Sequence, residues 1–142
     1  INEVPATDIV AYDLYIRANH ERWTYQNTKE GKHAKAAHDL YDQALKINLD
    51  NLMAIVGKAD LFNVERKHDS ALVYAEKAIV LNPRYNRGYA SKGYYYLMNG
   101  QNALAKEYLL KAISLKIFQI SQLVLIIEHR FYIHIVPRLY LL

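Results

Sequence analysis

The chain has 142 residues with a formal net charge of +4; 52% are apolar, 23% are charged and none is cysteine. That length suits one domain with a core of useful size, and the balance of apolar and charged residues argues against intrinsic disorder. Without cysteine there is no disulfide framework, thiolate metal site or cysteine nucleophile.

The charge is unevenly placed. Residues 1–76 carry 9 Lys and Arg against 12 Asp and Glu, whereas residues 77–142 carry 9 against 2. The basic half is either a solvated surface or an attractor for anionic partners. The opening "INEVPATD" lacks a basic stretch followed by an apolar core, so no signal peptide is expected and the expected location is cytoplasmic.

Residues 8–26 read as a long amphipathic helix, with Trp23 as a packing anchor, and "NTKEGKH" reads as loop. A second helix, about 34–48, carries Ala37, Tyr41 and Ala44 on one face and closes near Leu49. "NLMAIVGKADLF" then spaces Met53, Ile55, Val56, Ala59 and Phe62 by threes and fours, again helical. The next helix, 69–82, has Asp69 or Ser70 as candidate caps, Ala71, Ala75 and Ala78 on one face, and Pro83 after its end. "RGYASKGYYYLMNG" places Tyr89, Gly93 and Tyr96 on one stripe and stops at Asn99-Gly100. A helix over 102–115 follows, with Ala105, Leu109 and Ala112.

Ala37, Ala71 and Ala105 are evenly spaced, and Ala44, Ala78 and Ala112 repeat the same spacing; Leu49, Pro83 and Ile117 close the units at that interval too. Two methyl-sized positions separated by two helical turns let a neighbouring helix approach closely. Tyr41, Tyr89 and Tyr96 fall on packing positions, and of Tyr94 and Tyr95 one must face outward. No strand pattern separates the helices. The last stretch, "IFQISQLVLIIEHRFYIHIVPRLYLL", lacks the small-residue framework. It reads as a capping helix at about 118–134 ended by Pro137, or as an abnormal terminus; its β-branched content also suits a strand. Its longest unbroken apolar run is residues 123–127, short of the roughly 20 that a membrane-spanning helix needs, so no span is expected.

The in-phase residues Ala59, Phe62, Ala71, Ala78 and Pro83, and Tyr89, Gly93, Tyr96, Gly100, Ala105 and Ala112, resemble the tetratricopeptide repeat (TPR). The resemblance covers about residues 8–116 and implies an all-α superhelix of stacked antiparallel helix pairs. About three repeats are expected within residues 1–116, in units of about 8–50, 51–84 and 85–116, followed by the apolar segment 117–142. The first unit matches only through Ala37, Tyr41 and Ala44. "VPATDIVAYDLYIRANHERW" is also similar to the lead-in of TPR segments in bacterial signalling proteins. In those proteins the repeats follow a class III nucleotide cyclase or a DNA-binding regulatory domain.

Catalytic chemistry is not evident. "HDS" at 68–70 fits a helix cap better than a triad, because sequence neighbours do not converge on one proton-transfer line. "VGKAD" at 56–60 lacks the upstream Gly and following Ser or Thr of a phosphate loop. Neither Glu65 with His68 nor His129 with His134 brings a third metal ligand. No cofactor, metal, small-molecule substrate or enzyme activity is expected.

Concave faces of helical-pair solenoids bind other chains. The expected groove stripe is Met53, Val56, Asp60 and Asn63 from the second unit and Arg87, Ala90, Tyr94 and Leu97 from the third. It suits an extended peptide or a helix of a partner protein. Some TPR proteins hold a C-terminal carboxylate with a Lys/Asn/Arg clamp, and the resemblance puts Val56 and Asp60 where Lys and Asn would be wanted. An Asp there would repel a carboxylate. The alternatives are nucleic-acid binding through Arg84, Arg87, Lys92 and exposed tyrosines, and self-association through the apolar tail.

Overall fold

The computed structural model describes the backbone of residues 6–134. Pro5 of the lead-in and Pro137, the expected stop, lie outside the described residues. Six helices follow one another: α1 Ala6–Thr28, α2 Gly31–Ile47, α3 Leu52–Val64, α4 His68–Leu81, α5 Asn86–Met98 and α6 Asn102–His134. They form three antiparallel pairs, α1 with α2, α3 with α4 and α5 with α6. Between pairs, the first helices touch one another (α1 with α3, α3 with α5), whereas among the described residues α2, α4 and α6 do not meet. Rods in contact on one side and splayed on the other curve the stack, so α1, α3 and α5 line its concave face.

The recurring alanines are the reason the rods nest. Ala37, Ala44, Ala71 and Ala78 have no exposed surface, and Ala105 and Ala112 are nearly as buried. The repeat also governs the helix ends. Asn48 and Asn82 stand one repeat apart. Both leave the helix with extended backbone, and their N–H groups donate to Ala44 O and Ala78 O. α3 opens with Asn51, whose side chain accepts from the Ala54 N–H. At α4 the sequence expectation fails: the cap position is Lys67 without a side-chain bond, and Asp69 sits inside the first turn. There its carboxylate complements the helix dipole.

Tyr41 is the largest fully buried side chain. Its hydroxyl donates to Asn19 Oδ1 at 2.7 Å, joining α2 to α1. Burial pushes its pKa up to about 12, although the Arg22 guanidinium beside it works the other way. A phenol harder to ionise folded than unfolded stabilises the fold fully below pH 10, and this is lost as pH rises toward 12. The expected alkaline loss is about 2–3 kcal/mol. Tyr41→Phe should flatten the stability profile above pH 10, as read by urea unfolding across that range. Trp23, in contrast, is 63% exposed and anchors nothing. The inward stripe of α1 is Ala11, Leu14 and Ala18, and Trp23 lies off it.

The C-terminal segment differs most from expectation. No separate capping helix forms; α6 continues without a break through Lys116 to His134. Position 116 is where Asn48 and Asn82 end the earlier units, and Lys116 has neither an Asn's turn-forming amide nor a Pro after it. Over Asn102–Ile127 the helix is long and apolar enough to cross a membrane by length and composition, which counting unbroken apolar runs does not suggest. Its first half packs against α5.

Candidate peptide-binding groove

The concave face carries a cavity of about 470 Å³ lined from all three first helices and their ends. α1 supplies Arg22 and Gln26, with Lys29 just beyond it. α3 supplies Asp60, Asn63 and Val64, with Arg66 just beyond it, and α5 supplies Ala90, Ser91 and Tyr94. Of the expected stripe, Asp60, Asn63, Ala90 and Tyr94 therefore do converge. Tyr94 is partly exposed, as the outward member of the tyrosine cluster must be. Asn63 is buried, donating from Nδ2 to Ser91 Oγ at 3.0 Å and thereby linking α3 to α5.

Arg87 serves as a strut. One of its N–H groups bonds the Asp60 carboxylate and another donates to the Tyr15 hydroxyl at 3.1 Å, so it ties α5 to α3 and α1. Burial disfavours the guanidinium's charge, but the Asp60 carboxylate and the Tyr15 hydroxyl outweigh that and hold its pKa above the ordinary value. Asp60 is thus neutralised by a charge-assisted pair and is not the free anion that the sequence suggested.

Three expected groove residues lie elsewhere. Val56 is fully buried beside Ile55 and Ala78, a correction to its outward placement. The reason is that α3 is the central helix and touches α1, α2, α4 and α5 at once. A helix covered on so many sides has no free stripe at that position. Met53 lines a separate depression with Tyr12 and Tyr15. Leu97 is exposed on α5 but does not line the cavity.

The α1 contribution was missed because the repeat slips there. Arg66 and Gly100, which end α3 and α5, keep the spacing of the recurring alanines, whereas Lys29, which ends α1, lies three residues too far upstream of Arg66. Those extra residues in the first turn hide the correspondence. All three positions adopt left-handed backbone, with φ of 61° at Lys29, 64° at Arg66 and 71° at Gly100. In the second and third units the closing bonds also match: Lys67 N–H donates to Phe62 O at 2.8 Å and Gln101 N–H to Tyr96 O at 2.9 Å. This is the helix-ending motif in which glycine is usual. Two units place a basic residue there, and both of these side chains line the cavity.

The electrostatic sum is positive. Arg22, Lys29 and Arg66 make no ion pair among the described residues, and Asp60 is taken by Arg87. The Arg22 Nε–H is buried without a hydrogen-bond partner among them, a state that costs free energy. Among the described residues no three His, Asp or Glu gather as metal ligands.

No protein-family model matches the chain, and no curated protein matches it. Solved structures do. The crystal structure of MamA aligns with a TM-score of 0.63 at 23% identity, covering 78% of this chain and 61% of MamA's, so the chain spans about three-fifths of that protein. The second TPR of Spaghetti (RPAP3), bound to the HSP90 peptide SRMEEVD, aligns with a TM-score of 0.55 at 17% identity, covering 79% of this chain and 99% of that one.

Proposed function

We propose that this chain, an all-α solenoid with the tetratricopeptide-repeat fold, is a non-catalytic protein-interaction module whose concave cavity receives an acidic stretch of a partner polypeptide. The observation that carries this is the set of three cations, without ion-pair partners among the described residues, around one cavity. A carboxylate seated there gains charge-assisted hydrogen bonds. Asn63, Ser91 and Gln26 add polar contacts, and Tyr94 offers a flat apolar surface at the edge. The same shape admits an extended chain or one face of a helix.

The lead-in resemblance supports a placement within a larger bacterial signalling protein, where this segment would be the regulatory or scaffolding part. Its partner chemistry is testable without knowing the partner. A fluorescently labelled Glu-rich peptide should bind at least tenfold more tightly than its counterpart with Gln at every Glu, and added salt should weaken it. Arg22→Ala should lower that affinity about tenfold, equivalent to about 1.4 kcal/mol. Equal binding of the two peptides, or indifference to Arg22→Ala, refutes the acidic-partner reading.

A further inference from the structure

Beyond Ala112, α6 presents large apolar side chains to solvent at almost every turn. Phe118, Leu123, Leu125 and Ile126 are exposed around the rest of the helix, while six others share one regular spacing. Leu110, Ile113, Ile117, Ile120, Val124 and Ile127 are separated by three, four, three, four and three residues, and each is 46–65% exposed. That alternation is the heptad spacing of packed helices. At 100° per residue the six positions lie on one side of the helix. The opposite side, bearing Leu115, Phe118, Gln119 and Gln122, borders Arg84 of the same chain. Gln119 Nε2 donates to Arg84 O at 3.1 Å. The seam therefore faces away from the solenoid, and no charged residue occupies any of its six positions.

We infer that this seam is an interface with a second copy of the chain, in which two α6 helices pack along Leu110–Ile127 in a symmetric pair. A face that matches its own period is self-complementary, as a two-fold interface requires. The six residues expose roughly 600 Å² per copy, so a pair buries at most about 1,200 Å², the lower end of stable interfaces. The helix is already formed by its packing on α5, so pairing does not have to nucleate it. The concave cavity lies on the first helices and is not part of this seam, so pairing leaves it open and gives the dimer two grooves.

Sedimentation equilibrium of the full chain at tens of micromolar should give twice the monomer mass. Ile117→Glu with Ile120→Glu should return it to the monomer, while Gln122→Glu on the opposite side should leave the dimer intact. Since the chain has no cysteine, single-cysteine variants at seam positions, alone and mixed in pairs, should form interchain disulfides on mild oxidation, and Gln122→Cys should not. This second measurement stands even where the glutamate variants fold poorly. A monomeric wild type, or a dimer that ignores both seam glutamates and fails to crosslink through the seam, overturns the inference. So does a wild type that is monomeric in buffer but floats with phosphatidylcholine vesicles, which would assign the seam to lipid.

Discussion

Gly57→Ala is expected to destabilise the fold by about 3 kcal/mol, the reverse of what this substitution does in an ordinary helix. In an exposed helix interior, alanine is favoured over glycine by about 1 kcal/mol. At Gly57 an added methyl would run into Tyr41 Cε1 and lie 2.6 Å from Cζ and 2.8 Å from the hydroxyl oxygen. Real carbon contacts do not come so close, so the ring or the helix must move. Tyr41 cannot swing aside easily, because it is fully buried and its hydroxyl is held by Asn19. Overpacking of this kind costs about 1–3 kcal/mol, and disturbing a buried hydrogen bond adds about 1 kcal/mol.

Urea unfolding followed by circular dichroism measures the loss. The double variant Gly57→Ala with Tyr41→Leu should be less destabilised than the sum of its two single variants, since the shorter side chain vacates the space that the methyl needs. Additive effects would show that the two residues do not share that space.

Lys29→Gly and Arg66→Gly are expected to move stability and binding in opposite directions. Both residues hold left-handed backbone that favours glycine, at a cost of about 1–2 kcal/mol each. Glycine relieves it but loses more entropy on folding, so a net gain of about 0.5–1 kcal/mol is expected at each site. Each substitution also deletes a cation lining the groove. The double variant should unfold at higher urea yet bind a Glu-rich peptide about tenfold more weakly, roughly 0.7 kcal/mol per exposed cation removed. Gly100 is the natural comparison, because the third unit already has glycine at the corresponding helix end. A double variant that is both more stable and equally tight in binding would leave the two basic residues without a role in recognition.

Much of the fold is legible in the sequence because its determinants are local and periodic. An alanine at one fixed interval, with a second one two helical turns on, requires paired rods packed closely through their small faces. The burial of Ala37, Ala44, Ala71, Ala78, Ala105 and Ala112 follows from it. The turns at Asn48 and Asn82-Pro83, and the glycine stop at Gly100, are equally local. The continuation of α6 is implicit as well, in the Lys that stands where the earlier units place Asn, although the repeat interval alone puts a unit end at Ile117.

The groove was only half legible, for a different reason. A helical stripe gives the direction in which a side chain points, not what stands opposite. Val56 had the right spacing to face outward, yet α3 is enclosed by four other helices, and only their arrangement buries it. Asp60 read as a repelling charge until the fold set Arg87 beside it from a different helix. Arg22 and Lys29 entered the cavity only because α1 lies against α3, across a turn three residues too long for the repeat. The sequence by itself determined the rods and their pairing, which depend on side chains a few residues apart. The tertiary structure alone decided the charge and shape of the hollow, since these sum over three helices that meet only after the stack has curved.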